Sequence, residues 1–308
     1  MPLQYPQPIL DRYKELFKEE YENTLKISEI ELPSTIRTNT LKITPEELKK
    51  RLEKRGWKVT ALPFYPDAFT VETEETLGNT IEHLLGYYYV QDAASMLPPL
   101  CLEPKPGEII LDMCAAPGSK TTEIAQMMHN EGVIVANETD MWRSKALIFN
   151  LQRCGVLNAV VTKHVGQSFP KKGILFDKVL VDAPCSAEGT VRNDWTIPKK
   201  LSPYVYHQMA KVQKELLLSG AQCLKEGGIL IYSTCTFAPE ENEMIVNEFL
   251  TANPEYTIEE INLSHLKTRE GITTWQGRTF NPELKKTIRI LPQDNNTEGF
   301  FVAKIKKQ

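Results

Sequence analysis

EIILDMCAAPGSKTTEIAQ, residues 108 to 126, reads as an apolar strand running through a turn of small residues into a helix that opens near Ser119. The same rhythm continues downstream. VIVANE (133–138), AVVTK (159–163), FDKVLVDAP (176–184) and GGILIYSTC (227–235) have strand length, and between them lie helical patterns at 142–154, 206–226 and, after the last, 240–253. Short apolar strands alternating with amphipathic helices predict an α/β fold, a doubly wound Rossmann-like parallel sheet covered on both faces. FFVAKI (300–305) reads as a late strand of that sheet.

Upstream of Gly107 the pattern differs. Ile9, Leu10, Tyr13, Leu16, Phe17 and Tyr21 recur at helical spacing, which predicts one N-terminal helix over residues 1 to about 30 packed on the body. IRTNTLKI (36–43) alternates, Thr44-Pro45 caps a helix carrying Leu48 and Leu52, and WKVTAL and AFTVE follow as strands. Residues 32 to 75 therefore form a small strand-helix-strand-strand unit of α+β type.

Composition excludes several classes. The 308 residues are 41% hydrophobic and 25% charged, which rules out disorder and fibrous repeats. No apolar run reaches the roughly 20 residues of a spanning helix, so no membrane partner is expected. The N-terminus lacks a secretory signal, which places the chain in a reducing cytoplasm with its six cysteines as thiols. They form no C-x-x-C pair and none lies three to five residues from a histidine, so no metal is expected. The net charge of −4 argues against indiscriminate nucleic-acid coating, yet the stretch from Leu263 to Gln308 holds nine Lys and Arg against four Asp and Glu. With Arg192, Lys199, Lys200, Lys211 and Lys214 it makes a candidate basic face.

The turn Cys114, Ala115, Ala116, Pro117, Gly118, Ser119 and Lys120 is a cofactor candidate, because a helix N-terminus offers amides and small side chains admit a ligand. No G-x-G-x-x-G fingerprint supports it. Glu138 closes the second strand, where such sheets hold a ribose diol. Asp182 and Cys185 close the fourth strand, and Cys235 closes the fifth, so two thiols and a carboxylate share one crevice. Cys101, Cys154 and Cys223 read as core, Cys223 on the helical stripe Val212, Leu216, Gly220, Leu224. Carbon 5 of a pyrimidine becomes nucleophilic only after a thiolate adds at carbon 6, helped by an acid at ring nitrogen 3. The loop Asp-Ala-Pro-Cys is not the D/N-P-P-Y/F loop that amine methylation calls for, so carbon methylation is favoured. Spacing alone leaves open which thiol attacks.

At these residues the chain resembles the NOL/NOP/Sun family of RNA (cytosine-5) methyltransferases, and in particular its archaeal tRNA-modifying members. The likeness runs through IRTNTLKITPEEL, GYYYVQDAASMLPPL, LDMCAAPGSKTTEIA, VIVANETDMWR, DKVLVDAPCSAEGTVR, GGILIYSTCTFAPEENE and RILPQDNNTEGFFVAKI. It implies a helical extension at 1–31, a small RNA-recognition-like domain at 32–85, and an S-adenosyl-L-methionine-dependent methyltransferase domain at 86–308. It also implies that the turn 114–120 wraps the methionine moiety, Glu138 holds the ribose, and Arg143 lies beside the cofactor. By the same resemblance Cys235 is the nucleophile, Cys185 assists product release, Asp182 contacts the cytosine ring and Lys120 orients the base. One departure is Val165, where many members carry an acid for the adenine amine. Another is Ala187-Glu188, where Gly or Thr is frequent.

Because the chain closes just after FFVAKI, RNA is expected on the N-terminal unit and the basic face, with Arg37, Arg192, Lys199, Lys200 and Arg289 as candidates. The expected partner of this monomer is tRNA, with ribosomal RNA as the alternative. A non-catalytic RNA-binding factor and a nicotinamide-dependent oxidoreductase are the readings from other classes, and neither accounts for the paired cysteine motifs.

Overall fold

The structure, a computed structural model, describes residues 3–308. Where one N-terminal helix was expected, the chain forms α1 (Gln7–Phe17) and α2 (Tyr21–Ser28), separated at Lys18, whose φ of 50° interrupts the helix. Ile9, Tyr13 and Phe17 lie four residues apart on one stripe of α1 and are buried against Ile197, Tyr206 and Phe237 of the main body.

Next comes a four-stranded antiparallel sheet. β1 (Thr35–Thr38), α3 (Pro45–Glu53), β2 (Lys58–Leu62), β3 (Tyr65–Glu72), α4 (Ile81–Leu84) and β4 (Tyr88–Val90) build it in the order β2-β3-β1-β4. Thr44 begins α3 through a capping box with Glu47. Leu48 and Leu52 then face Ile36, Val59 and Phe69 in a core of their own. β4 pairs with β1, so this unit runs past residue 85, beyond the boundary the sequence suggested.

The main sheet begins after α5 (Leu97–Leu102). Its parallel part comprises β5 (Ile109–Asp112), α6 (Ser119–Met127), β6 (Val133–Asn137), α7 (Met141–Cys154), β7 (Ala159–Thr162), β8 (Phe176–Asp182), α8 (Pro203–Gln222), β9 (Leu224–Thr234) and α9 (Glu243–Ala252). After it come β10 (Tyr256–Glu259), β11 (Arg269–Glu270), the hairpin β12 (Thr274–Trp275) and β13 (Arg278–Thr279), β14 (Ile288–Ile290), α10 (Pro292–Asn295) and β15 (Phe300–Lys307). Strand order is β11-β14-β15-β9-β8-β5-β6-β7, with β10 also on β15. The strands from β7 to β9 are parallel, and β15 joins β9 antiparallel.

Alternate residues of β8 enter opposite cores. Val179 and Val181 pack with Leu230 and Tyr232, while Leu180 packs with Ile110 and Ile231. Burial on both faces is why these strands read as unbroken apolar runs. α8 both starts and ends earlier than the sequence pattern suggested: it runs from Pro203 to Gln222, Cys223 follows as a buried cap, and Leu224 already starts β9.

Three arginines expected on an RNA-binding face are internal instead. The Arg37 guanidinium, 1% exposed, donates to Gln91 Oε1 at 3.0 Å, Thr122 Oγ1 at 2.8 Å and the Ser119 carbonyl at 3.2 Å, so it ties β1 to α6. Arg192 donates to the carbonyls of Ile30, Glu31 and Thr297 and to Asn296 Oδ1. Arg289 forms a two-pronged pair with Glu243, at 2.6 and 2.5 Å, and donates to the Phe237 carbonyl. Each is satisfied by acceptors no phosphate needs to supply. Of the five candidates, only Lys199 and Lys200 are exposed. Removing a buried cation that satisfies several acceptors strands them, so Arg37→Ala should cost about 3 to 5 kcal/mol in urea unfolding followed by tryptophan fluorescence. A loss below about 1 kcal/mol would contradict this structural role.

Candidate active site

The chemistry-bearing residues meet at the carboxyl edge of the parallel strands. β8 and β9 lie in register with Asp182 beside Ser233, and Ser233 Oγ donates to Asp182 Oδ1 at 2.7 Å. The other carboxylate oxygen receives the Lys120 ammonium at 2.7 Å. Lys120 extends from the first turn of α6, donates to Ser95 Oγ at 3.1 Å and lies 5.4 Å from the centre of the Phe300 ring. Burial opposes its charge, but Asp182 outweighs that cost and holds the ammonium above its ordinary pKa.

Beyond these strand ends the two cysteine turns touch, with Cys185 Sγ 3.1 Å from Cys235 Sγ. Several bonds hold them together. Ser186 Oγ lies 2.8 Å from Thr236 Oγ1, and Gly189 N donates to the Cys235 carbonyl at 2.8 Å. Glu188 explains its own place in the loop: buried at 2% exposure, it accepts from Tyr206 Oη at 2.6 Å and from Thr236 Oγ1 and Phe237 N. Glu241 accepts from Ser186 N at 3.0 Å and from Gln213 Nε2 at 2.8 Å. Ala187 adopts φ 59°, the left-handed region that glycine occupies more easily. The sequence reading missed Ser95, Glu188, Gln213, Ser233 and Glu241. Ser95, Glu188, Ser233 and Glu241 lie in the stretches GYYYVQDAASMLPPL, DKVLVDAPCSAEGTVR and GGILIYSTCTFAPEENE, which marked position rather than role, and nothing marked Gln213.

The opposite wall of the crevice belongs to the turn after β5. Gly118 has φ +108°, and a Cβ there would stand 3.1 Å from Leu147 Cδ1, so the position requires glycine. A cavity of about 510 Å³, a size suited to a small molecule, opens between this turn and the cysteines. Cys114, Ala116, Glu138, Arg143, Asp182, Cys185 and Cys235 all line it. Ala115, Pro117, Gly118, Ser119 and Lys120 do not: the Pro117 carbonyl faces Asn150, and Lys120 faces Asp182.

Glu138, 4% exposed, accepts from Asp140 N at 2.9 Å and lies 3.3 Å from the Arg143 guanidinium, which also donates to the Ala116 carbonyl at 2.8 Å. Arg143 therefore braces the acid against the turn. Asp112, another residue missed from sequence, ends β5 with Oδ2 bonded to Thr121 Oγ1 at 2.6 Å and Oδ1 without a partner among the described residues. Burial pushes its carboxyl up to about 7. Among the described residues no group of three or more potential metal ligands converges, and no helix is long and apolar enough to cross a membrane.

A cavity at the switch point of a Rossmann-like sheet is where such folds bind a nucleoside-bearing cofactor, and for the family of this chain that cofactor is S-adenosylmethionine, the methyl donor of a methyltransferase. Residues 99–306 match the model of the family described as 16S rRNA methyltransferase RsmB/F, and residues 5–93 match the N-terminal domain of 16S rRNA methyltransferase RsmF. The chain belongs to this family. It is 44% identical to the tRNA (cytosine(49)-C(5))-methyltransferase of Pyrococcus abyssi, over 90% of this chain and 88% of that protein. It is 41% identical to the ribosomal RNA small subunit methyltransferase F of Psychromonas ingrahamii, over 98% of this chain but only 63% of the longer relative. The solved structure of NSun6 from Pyrococcus horikoshii with SFG, a cofactor analogue, superposes with a TM-score of 0.87 at 26% identity, covering 100% of this chain and 99% of that one.

The Cys185 sulfur and burial together push the Cys235 thiol well above its usual range. Only the thiolate reacts with an alkylating agent, and its fraction rises tenfold per pH unit below the pKa. Alkylation of Cys235 by iodoacetamide should therefore be slow at pH 7 and rise about tenfold by pH 8. Cys185→Ala removes the larger cause and should speed the reaction at pH 8. A rate flat with pH in both proteins would show a thiol already ionised at neutrality.

Proposed function

We propose that this chain transfers a methyl group to carbon 5 of cytosine in RNA, with tRNA as the substrate, through a covalent bond between Cys235 and carbon 6. The observation that carries this reading is the convergence, on the cavity that Glu138 also lines, of two thiols 3.1 Å apart and of Asp182, which Lys120 pairs from behind the wall. The tRNA assignment rests on the Pyrococcus abyssi relative, which this chain covers nearly end to end. The ribosomal RNA reading is favoured by the Psychromonas ingrahamii relative.

The cavity suits S-adenosylmethionine. Glu138 would accept from both ribose hydroxyls, Val165 and Leu216 offer an apolar wall to a purine, and the carboxylates of Asp112 and Asp182 favour the cationic methionine end. When bound, this group supplies the methyl electrophile. The chain's own residues prepare the base. Asp182 and Lys120 address its hydrogen-bonding edge, the carboxylate accepting from the exocyclic amine and the ammonium donating toward ring nitrogen 3. Cys235 gives up its thiol proton to solvent and bonds as the thiolate to carbon 6, the 5,6 pair shifts into the 4,5 bond while the pair of the 3,4 double bond moves to ring nitrogen 3, and the Lys120–Asp182 pair supplies the proton there. Carbon 5 then takes the methyl group. Ring nitrogen 3 returns its proton to the Lys120–Asp182 pair, and the carbon 5 proton passes to Cys185, whose own thiol proton has gone to solvent, so that the 5,6 double bond re-forms and Cys235 departs as the thiolate. A cytosine paired in a duplex must first leave the stack to reach these thiols. Lys199 and Lys200, exposed beside the cleft loop that carries Cys185, meet the backbone phosphates.

One denaturing gel tests the roles. Incubated with labelled tRNA and S-adenosylmethionine, Cys235→Ala should neither methylate nor leave an adduct, whereas Cys185→Ala should methylate and stall as protein joined to RNA. Asp182→Asn should suppress both. An adduct from Cys235→Ala and none from Cys185→Ala would reverse the two roles, and no adduct or methylcytosine from any protein, with tRNA or ribosomal RNA, would favour a non-catalytic RNA-binding factor.

Glu138→Ala should weaken S-adenosylmethionine binding at least about tenfold by calorimetry, because two charge-assisted hydrogen bonds worth about 1.5 to 3 kcal/mol each disappear. The apo protein should lose no more than about 1 kcal/mol of stability. An unchanged dissociation constant removes Glu138 from the site.

A further inference from the structure

The turn after β7 closes the cavity on the side away from the thiols. Val165 lines it and is 60% exposed, an apolar surface open to a ligand but unable to accept a hydrogen bond. The next residue explains how the turn lies so close. A Cβ on buried Gly166 would stand 2.4 Å from Leu216 Cδ2 and 3.3 Å from Met113 Sδ, so any larger residue would have to displace these side chains for the backbone to settle against α8 and the end of β5. This close approach sets Gln167 on the cavity rim.

Gln167 is not free to turn its amide either way. Its Nε2 donates to Glu215 Oε2 of α8 at 2.8 Å. A carboxylate only accepts, so this bond holds the amino group toward Glu215 and leaves Oε1 as the remaining acceptor. The neighbouring His164 is not part of the cavity lining: its carbonyl accepts from Asn137 Nδ2 at 2.9 Å, and its ring packs edge-on to Phe169 at 6.0 Å. With Glu138 holding the ribose, a purine would lie along Val165, Val212 and Leu216, which line the cavity together with Gln167, and its polar edge would meet position 167.

We propose that Gln167, oriented by Glu215, accepts a hydrogen bond from the 6-amino group of the cofactor's adenine and so reads the base where no acid stands at Val165. This rests on the S-adenosylmethionine reading above. The recognition is directional. An amino group at position 6 donates to Oε1, whereas an oxygen there faces Oε1 as a second acceptor and is rejected.

Calorimetry with S-adenosylhomocysteine and S-inosylhomocysteine, which differ at position 6, tests this without turnover. The wild-type protein should bind the adenosyl compound about tenfold or more tightly. Gln167→Ala should bring the two dissociation constants within about twofold of each other, and Glu215→Ala should lose part of the preference. The exchange Gln167→Glu with Glu215→Gln should keep it, because an amide then donates from position 215 while a carboxylate at 167 accepts. If Gln167→Ala binds neither compound, the exchanged protein decides, and loss of preference there overturns the proposal. So does a full adenosyl preference in Gln167→Ala, or none in the wild type. Wild-type protein that binds neither compound would refute the cofactor reading itself instead.

Discussion

The site depends on the parallel pairing of β8 and β9 that sets Asp182 beside Ser233. Both strands leave the sheet at that height, so a thiol three residues beyond one and a thiol two residues beyond the other arrive in contact. The pairing resists slippage because both faces are buried. A one-residue shift would exchange Val179 and Val181 with Leu180 between two cores that are filled to different shapes. Packing energy spent far below the cleft thus sets the geometry at its mouth.

Charge is spent in an unexpected place. Arg37, Arg192 and Arg289 each satisfy several internal acceptors, and Arg12 joins them by pairing with Glu240 at 2.6 Å beneath α1. A planar guanidinium with five donors can knit together carbonyls from distant segments, a task for which a lysine lacks the geometry. The N-terminal helices and the small sheet are fastened to the main sheet in this way, and the positive charge left at the surface is largely lysine.

Around the cleft, burial acts against ionised carboxyls. Asp112 and Glu241 are pushed up to about 7 and Glu298 to about 8, each mainly by loss of water. Lys120 compensates only Asp182 directly, at 2.7 Å. Arg143 stands on the cavity wall itself and is paired with Glu138. The Cys185 sulfur and burial likewise hold the Cys235 thiol well above its ordinary range.

The one-dimensional pattern determined the class of the fold, because a strand buried on both faces can only be an apolar run and an amphipathic helix can only show its period. It also placed the turn 114–120, Glu138 and the two cysteine motifs at one edge of the sheet, since each sits where a strand must end. Tertiary structure decided the rest. Whether Arg37 faces RNA or the protein interior depends on Gln91, Ser119 and Thr122, residues up to 85 positions away. The strand β4 belongs to the small sheet because it pairs with β1, a choice no local period encodes. Asp112, Glu188 and Glu241 looked like ordinary acids until burial and their partners gave them tasks. Burial and long-range hydrogen bonds are properties of the packed chain, and they are absent from any window of sequence short enough to read by pattern.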